Sequence, residues 1–141
     1  MRKHLLAVAL LAALSGCQQS DAPTVATPAA EQAGQSQANA AFTELSKKSL
    51  DTWMQLSPVA ATQIGDHRYD SELDDLSAVG QQKSLEASKA LLAELEKIDV
   101  SSLSRENQVD AAILRNQLQS DIWNNEILQA WKWDPQVYSG L

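Results

Sequence analysis

Residues 18–40 of this 141-residue chain contain no Leu, Ile, Phe, Trp or Tyr, and this gap confines any folded core to the residues that follow. Gln, Ala, Ser, Thr and Pro dominate the segment. Such a composition cannot bury enough apolar surface to offset the entropy that ordering would cost. We therefore predict a disordered linker over residues 17–40 and a helical region over residues 41–141, where large apolar side chains recur.

The N-terminal residues have the features of an export signal. A basic start, Met1–His4, precedes ten residues of Leu, Ala and Val from Leu5 to Leu14. A membrane-spanning helix needs roughly 20 apolar residues, so this segment is too short to be a mature membrane anchor. We predict that residues 1–16 are a signal peptide.

The stretch Leu14-Ser15-Gly16-Cys17 resembles the lipobox of bacterial lipoproteins. The resemblance implies that Cys17, the single cysteine of the chain, is acylated and becomes the new N-terminus. Gln18, in place of Asp, resembles the pattern that is sorted to the outer membrane, with the protein facing the periplasm. The alternative is an ordinary signal peptide whose cleavage leaves a cysteine nearby.

The charge of the chain is acidic and restricts its partners. The formal net charge is −7, from 11 basic and 18 acidic residues, and loss of Arg2 and Lys3 with the signal would change it to −9. Binding to nucleic acid needs clusters of Lys and Arg, which an acidic chain does not supply. The same charge disfavours peripheral binding to anionic lipid headgroups, so membrane attachment would depend on the acyl chains.

No segment shows the alternating pattern of a strand, and residues 41–141 are predicted to be all-α. Pro58 is typical of a helix start, because proline fits the first helical position, and Gly65 is typical of a helix end. Ser104 is suited to cap the last long helix. We predict helices over residues 41–56, residues 59–64, a long segment starting at about Asp75 or Ser77, and a segment from Arg105 to about Ala130.

The last long helix has two apolar stripes. A helix that packs on one neighbour needs a single stripe, so two stripes indicate neighbours on two sides. An apolar, aromatic segment follows this helix, and we therefore expect an incomplete N-terminal part of a larger domain. Trp53 and Trp123 are predicted to be core residues. The two stripes are Val109, Ile113, Trp123 and Ile127, and Leu114, Leu118 and Ile122.

Motifs for catalysis are missing from the chain. It has two histidines, and His4 belongs to the signal segment, so neither a zinc site of the HExxH kind nor a Ser-His-Asp set can be built. The glycines at positions 65, 80 and 140 are isolated, which argues against a phosphate-binding loop. We predict no catalytic residue and no metal ligand in this chain.

One polar block, Gly65–Asp75, is the candidate site of the chain. Its five carboxylates are expected to cap turns and helix starts, with calcium binding as an alternative. The block lacks the alternating ligand positions and the central glycine of an EF-hand. A third interpretation gives some of these residues a binding role. We name Gly65, His67, Tyr69 and Asp70 as substrate-cleft or structural residues.

Four spaced blocks of residues carry a resemblance to a known family. They are Ser57-Pro58-x-x-Ala61-Thr62-x-x-Gly65-Asp66-His67-x-Tyr69-Asp70-x-x-Leu73-x-Asp75-x-Ser77, Leu92-x-x-Leu95-x-x-Ile98-Asp99, Val109-Asp110-x-x-Ile113-Leu114 and Trp131-x-x-Asp134-Pro135-x-x-Tyr138. This arrangement is similar to the bacterial family catalogued as domain of unknown function 885. The similarity covers nearly everything from Trp53 to the last residue.

The resemblance implies an all-helical protein several-fold longer than this chain, of which these would be the N-terminal helices. The later half of that family carries a His-Glu-x-x-Pro-Gly-His-His type motif and is similar to zinc-dependent metallopeptidases of the helical carboxypeptidase kind. No position here matches the motif. Zinc is therefore implied for the full-length family and no cofactor for this chain. The implied partners are the missing C-terminal catalytic half and, in the full-length form, a peptide substrate.

Two functions are open on the sequence. The first is an N-terminal fragment of an exported, membrane-tethered zinc-dependent peptidase or hydrolase, inactive alone. The second is a small, complete helical lipoprotein that acts as a periplasmic binding or scaffold module. The two differ in the apolar surface of the last long helix, which a fragment should expose and a complete module should bury.

Overall fold

Residues 29–138 are described by the structure, which is a computed structural model. No strand occurs in this range, so the all-α prediction is confirmed. The predicted signal peptide, the acylated Cys17 and the first part of the predicted linker lie outside the described residues. The helices are α1 (Ala29–Leu56), α2 (Pro58–Gln63), α3 (Ala78–Leu95) and α4 (Arg105–Trp123).

The first helix, α1, begins earlier than the sequence indicated. Residues 29–40, which were predicted to be linker, form its first turns. They consist largely of Ala, Gln and other residues that tolerate a helix, so a helix that is stabilised by packing further along can extend through them. Ala38 packs against the core. Asn39 Oδ1 accepts hydrogen bonds from the backbone N–H of Ser104 and from Asn107 Nδ2, both at 2.9 Å.

The third helix, α3, is the central helix of the bundle. It packs against both α1 and α4, whereas α1 and α4 have few contacts with each other. Lys48 of α1 pairs with Glu94 near the end of α3 at 2.6 Å. Asn39 of α1 meets Ser104 at the start of α4. α1 and α4 therefore run in the same direction, and α3 runs opposite to both.

The core lies where the middle of α1, the end of α3 and the span of α4 from Ala111 to Leu118 meet. Leu95 and Leu103 are its most completely buried large side chains, with 0% and 2% exposure. Burying a leucine side chain contributes roughly 1.5–3 kcal/mol, so these two leucines contribute substantially to the packing energy. The core residues are Phe42, Leu45, Leu91, Leu95, Leu103, Ala111 and Leu118.

Side-chain caps mark the starts of the two later helices, and Ser104 is the cap that the sequence predicted. Ser77 Oγ accepts from the backbone N–H of Gly80 at 3.2 Å, and Ser104 Oγ accepts from that of Asn107 at 3.3 Å. Each hydrogen bond satisfies an N–H group that has no partner within the helix. Pro58 is the first residue of α2, also as predicted.

The last long helix, α4, ends before the predicted boundary. The α-helix stops at Trp123, continues as a π-helical turn over Asn124–Leu128, and does not reach Ala130 as an α-helix. Gln129 then adopts a left-handed conformation with a φ of 49°. Residues 123–133 contain neither Gly nor Pro, so the usual signals for a helix end are missing from the sequence.

Single turns of 3-10 helix make up most of the remaining regular structure. They cover His67–Tyr69, Val100–Ser102, Ala130–Lys132 and Pro135–Tyr138. Within residues 29–138 there is no helix with the length and apolar character needed to cross a bilayer.

Candidate functional site

The polar block Gly65–Asp75 begins with a turn that follows α2. Gly65 has a φ of 93°, in the left-handed region that glycine favours, and it follows the end of α2 as predicted. Asp66 comes next and caps the 3-10 turn His67–Tyr69 by accepting from the backbone N–H of Arg68 at 3.1 Å.

Arg68 joins this turn to α1. Its Nη2 lies 2.6 Å from Asp66 Oδ2 and 2.9 Å from Asp51 Oδ1 of α1. The guanidinium also lies 5.4 Å from the centre of the Tyr69 ring. Hydrogen bonds from Arg68 lower the pKa of Asp66, and hydrogen bonds to Asp66 and Asp51 raise the pKa of Arg68. Because Arg68 and Asp51 are largely exposed to solvent, their contact positions the turn and contributes little stability.

His67 and Asp70 form a pair on the open side of the turn. His67 Nδ1 lies 3.1 Å from Asp70 Oδ2, and Thr62 Oγ1 donates to Asp70 Oδ1 at 2.7 Å. The hydrogen bond from Thr62 lowers the pKa of Asp70, with a smaller effect from His67. The His67 side chain is largely exposed, and its contact with Asp70 orients the ring.

Asp74 and Asp75 of the block satisfy backbone N–H groups. Asp74 Oδ1 accepts from the N–H of Val59 at 3.1 Å, and Asp75 Oδ1 accepts from the N–H and hydroxyl of Ser77 at 3.1 and 2.6 Å. Residues 29–138 hold no group of three His, Cys, Asp or Glu side chains that could bind a metal ion. Turn and helix capping accounts for Asp66, Asp74 and Asp75 of the block.

An open groove of about 760 Å³ lies between α1, α3 and α4. Its floor is a face of α3 with small side chains, among them Ser84 and Ser88. Its walls are apolar: Leu50 and Trp53 of α1 are 53% and 43% exposed, and Ile113 of α4 is 63% exposed. No fourth element within the described residues covers this part of the bundle.

The structure corrects the prediction that Trp53 and Trp123 belong to the core. Trp53 is 43% exposed at the groove, and Trp123 is 51% exposed on α4. Both residues do follow a helical spacing, but spacing alone does not show which stripe of a helix is covered. On α4, the stripe that contains Leu118 faces the core and the stripe that contains Ile113 remains open.

Two carboxylates and no basic side chains line the groove. Asp110 is exposed near one end, and Asp121 is partly buried toward the other end, about 16 Å further along α4. Asp121 Oδ1 accepts a hydrogen bond from Gln117 Nε2 at 2.9 Å, and burial raises the pKa of Asp121. Neither carboxylate has an ion-pair partner among residues 29–138.

A smaller pocket of about 430 Å³ adjoins the π-helical turn. Asn125 Oδ1 and Trp131 Nε1, from two residues that line it, are buried and lack a hydrogen-bond partner within the described part of the chain. A buried polar atom without a partner costs about 1–3 kcal/mol. Buried polar atoms at the end of α4 and in the segment that follows it therefore lack hydrogen bonds.

Sequence reasoning placed the candidate site in the polar block and missed the groove. A signal was present in the small residues Ser84, Ala87 and Ser88 of α3, which lie at helical spacing on one face. Small side chains along one face of a helix allow close approach by a neighbour, but the sequence does not show that the neighbour is missing.

Comparison with known proteins adds one finding to this geometry. No curated protein and no solved structure matches the chain. The family model described as "Bacterial protein of unknown function (DUF885)" does match, over residues 58–141. The match includes the polar block, α3, α4 and the last residues, and it covers more than half of the chain. The resemblance seen in the sequence is thereby confirmed, and the chain belongs to the DUF885 family of bacterial proteins.

Proposed function

We propose that this chain is the N-terminal helical section of an exported, membrane-tethered lipoprotein whose downstream half is a zinc-dependent peptidase or hydrolase. Membership in DUF885 supports the proposal through the family's resemblance to helical carboxypeptidases. The observation that carries it is the open groove, where Leu50, Trp53 and Ile113 stay exposed beside a packed core. An apolar surface of this kind usually marks an interaction site.

In this proposal the helices contribute surfaces and no chemistry. The proposal assigns the metal and the catalytic residues to the downstream half. The groove would pack against that half. The chain alone is expected to be inactive as a peptidase.

The polar block is suited to form part of the wall of a substrate cleft. Arg68 connects its turn to Asp51 of α1, and Asp70 orients the imidazole of His67. The turn therefore has a defined shape although it is exposed. In the full-length protein, His67 and Tyr69 would then contact a peptide substrate or the neighbouring half.

The attachment to the membrane rests on Cys17. A single acyl chain of myristoyl length gives marginal binding, at about 0.8 kcal/mol per buried methylene, so stable anchoring needs more than one chain. The lipobox resemblance implies a diacylglycerol and an N-acyl group on Cys17. The anchor would hold the helices at the periplasmic face of the outer membrane.

The intact mass of the native product tests the proposal. The product is to be isolated from the membrane fraction of the source cells and measured by mass spectrometry. We expect a species several-fold heavier than the 15.3 kDa of this chain. A species with the mass of residues 17–141 plus lipid would contradict the proposal.

The second candidate is a small, complete helical lipoprotein that acts as a periplasmic binding or scaffold module. The core favours this second candidate, because Leu95 and Leu103 are fully buried within the described residues. In this case the groove would be the binding surface of the module. The lighter species in the mass measurement would select this candidate.

A further inference from the structure

The open groove has a shape that one further helix would fill. α1 and α4 form its sides and α3 its floor, and α1 and α4 have few contacts with each other. Along α1 the groove runs from Phe42 to Leu56, about 20 Å, which is the length of a helix of about 14 residues. A helix laid between α1 and α4 would therefore complete a four-helix arrangement.

The sides and the floor of the groove favour an apolar occupant that approaches closely. Leu50 and Ile113 are 53% and 63% exposed on its two sides, and covering them would remove apolar surface from water. Ser84 and Ser88 on the floor are short side chains. The axis of a neighbouring helix can therefore come nearer to α3 than large side chains would permit.

Two carboxylates give the groove a negative charge. Asp110 and Asp121 line it, and the groove has no Lys, Arg or His among its described residues. Asp121 is already half-buried, and burial raises its pKa. An occupant without positive charge would bury these carboxylates further without compensating them, which is costly.

The same carboxylates disfavour two other occupants. A second copy of this chain, docked groove to groove, would bring Asp110 and Asp121 of both copies into one interface, and like charges brought together oppose association. A fatty acid or an anionic lipid would match the apolar sides, but its headgroup would add another negative charge to the groove. An occupant with an apolar face and positive charge at its margin is complementary to both the sides and the carboxylates.

We infer that the groove binds a basic amphipathic helix of the downstream half, with its apolar face against Leu50 and Ile113 and a Lys or Arg side chain near each carboxylate. Asp110 and Asp121 lie about three helical turns apart on α4, so two cations at the same separation would meet both. A cation beside Asp121 would favour its charged form and offset the effect of burial. The inference deepens the proposed function and rests on it for the source of the helix.

Binding of model helices to the purified 141-residue chain tests the charge pattern. The two probes are stapled helical peptides of about 14 residues, each with Leu and Ala on one face and Gln on the other. One peptide carries a Lys at each end of the apolar face, about three turns apart, and the other carries Glu at the same positions. Fluorescence anisotropy of the labelled peptides is expected to show about tenfold tighter binding of the Lys peptide.

Matched variants locate the binding, because an acidic chain attracts any basic peptide. Leu50→Gln should weaken binding of the Lys peptide about fivefold, whereas Leu73→Gln, at a residue that is 83% exposed outside the groove, should leave it unchanged. Asp121→Asn, whose amide oxygen can still accept from Gln117, should weaken it about threefold. Its control, Glu106→Gln, removes the same charge from an exposed position of α4 outside the groove and should have no effect.

Two results would overturn the inference: equal affinity of the two peptides, or no difference between a groove variant and its control. Circular dichroism verifies that all four variants retain their helices, so a loss of binding reports on the groove. The intact mass of the native product decides the proposed function separately. If that mass is the mass of residues 17–141 plus lipid, the downstream half is absent and the assigned source of the helix is wrong, whatever the peptides show.

Discussion

At the scale of single residues, Gly80 controls how α3 begins. A Cβ atom at this position would lie 1.8 Å from the carbonyl oxygen of Asp75. The same residue donates its N–H to the capping hydroxyl of Ser77, and Asp75 in turn accepts from Ser77. The backbone of the polar block therefore passes over α3 at a point where only glycine fits.

Replacing this glycine should destabilise the protein although alanine is the better helix former. We expect Gly80→Ala to lower the free energy of unfolding by about 1–3 kcal/mol, because the start of α3 must move away from Asp75. Gly34→Ala is the matched control: Gly34 lies in α1 with no atom within 4 Å of the added Cβ. The control should gain about 0.5–1 kcal/mol.

Urea unfolding followed by circular dichroism measures both variants. A gain in stability for Gly80→Ala equal to that of Gly34→Ala would show that the close approach to Asp75 does not constrain the fold.

At the scale of elements, the end of α4 stores local strain. The π-helical turn leads into Gln129, whose φ of 49° costs a residue with a side chain roughly 1–2 kcal/mol. Asn125 Oδ1 and Trp131 Nε1 are buried nearby without partners. Strain and unsatisfied polar atoms thus concentrate in one short segment beside the groove.

Relief of this strain should be measurable. Gln129→Gly is expected to raise the free energy of unfolding by about 1 kcal/mol, because glycine adopts the left-handed region without a steric cost. Gln119→Gly, at an exposed position inside α4, should instead lower it by about 1 kcal/mol. Thermal unfolding of the two variants compares them directly, and a similar loss in both would contradict the interpretation of Gln129 as strained.

Helix ends were predictable where local chemistry determines them. Pro58, Gly65 and Ser104 each meet a requirement of the backbone, and all three stand where the sequence placed them. The π-helical turn contains no residue of this kind, such as Gly or Pro, so the sequence did not predict it. Trp53 was misplaced for another reason: its exposure depends on whether a neighbour fills the groove, which is a property of the assembled bundle.

At the scale of the whole molecule, the exposed carboxylates determine how stability responds to acid. Hydrogen bonds from Ser and Thr hydroxyls, backbone N–H groups and Arg68 lower the pKa of several aspartates in the folded chain. Burial raises the pKa of Asp121 and acts in the opposite direction. The aspartates whose pKa is lowered are Asp66, Asp70, Asp75 and Asp99.

The free energy of unfolding should therefore fall as the pH drops below about 4. A carboxyl with a lowered pKa in the fold binds protons more readily in the unfolded chain, so its contribution is present above the unfolded pKa and is lost as pH falls through the folded pKa. Thr62→Val removes the largest cause of the shift at Asp70 and should flatten this dependence. Denaturant titrations between pH 3 and pH 7 measure it.

Asp121→Asn serves as the opposite control. It removes a carboxyl whose charged form is disfavoured by burial, so it should raise stability at neutral pH and make the loss of stability in acid larger. Stability that increases on acidification of the unmodified chain would contradict the assignment of the aspartates.

The early start of α1 changes how such a chain would stand on a membrane. Eleven residues separate Cys17 from Ala29, which limits the span between a lipid anchor and the helix to roughly 40 Å. From Ala29 to Phe42 the chain rises about 20 Å as a helix that is fastened to α4 through Asn39. A lipid-anchored form would thus carry its groove on a rigid stalk. The first turns of α1 would add up to about 20 Å to the distance between the bilayer and the groove, beyond the span of the residues that follow Cys17.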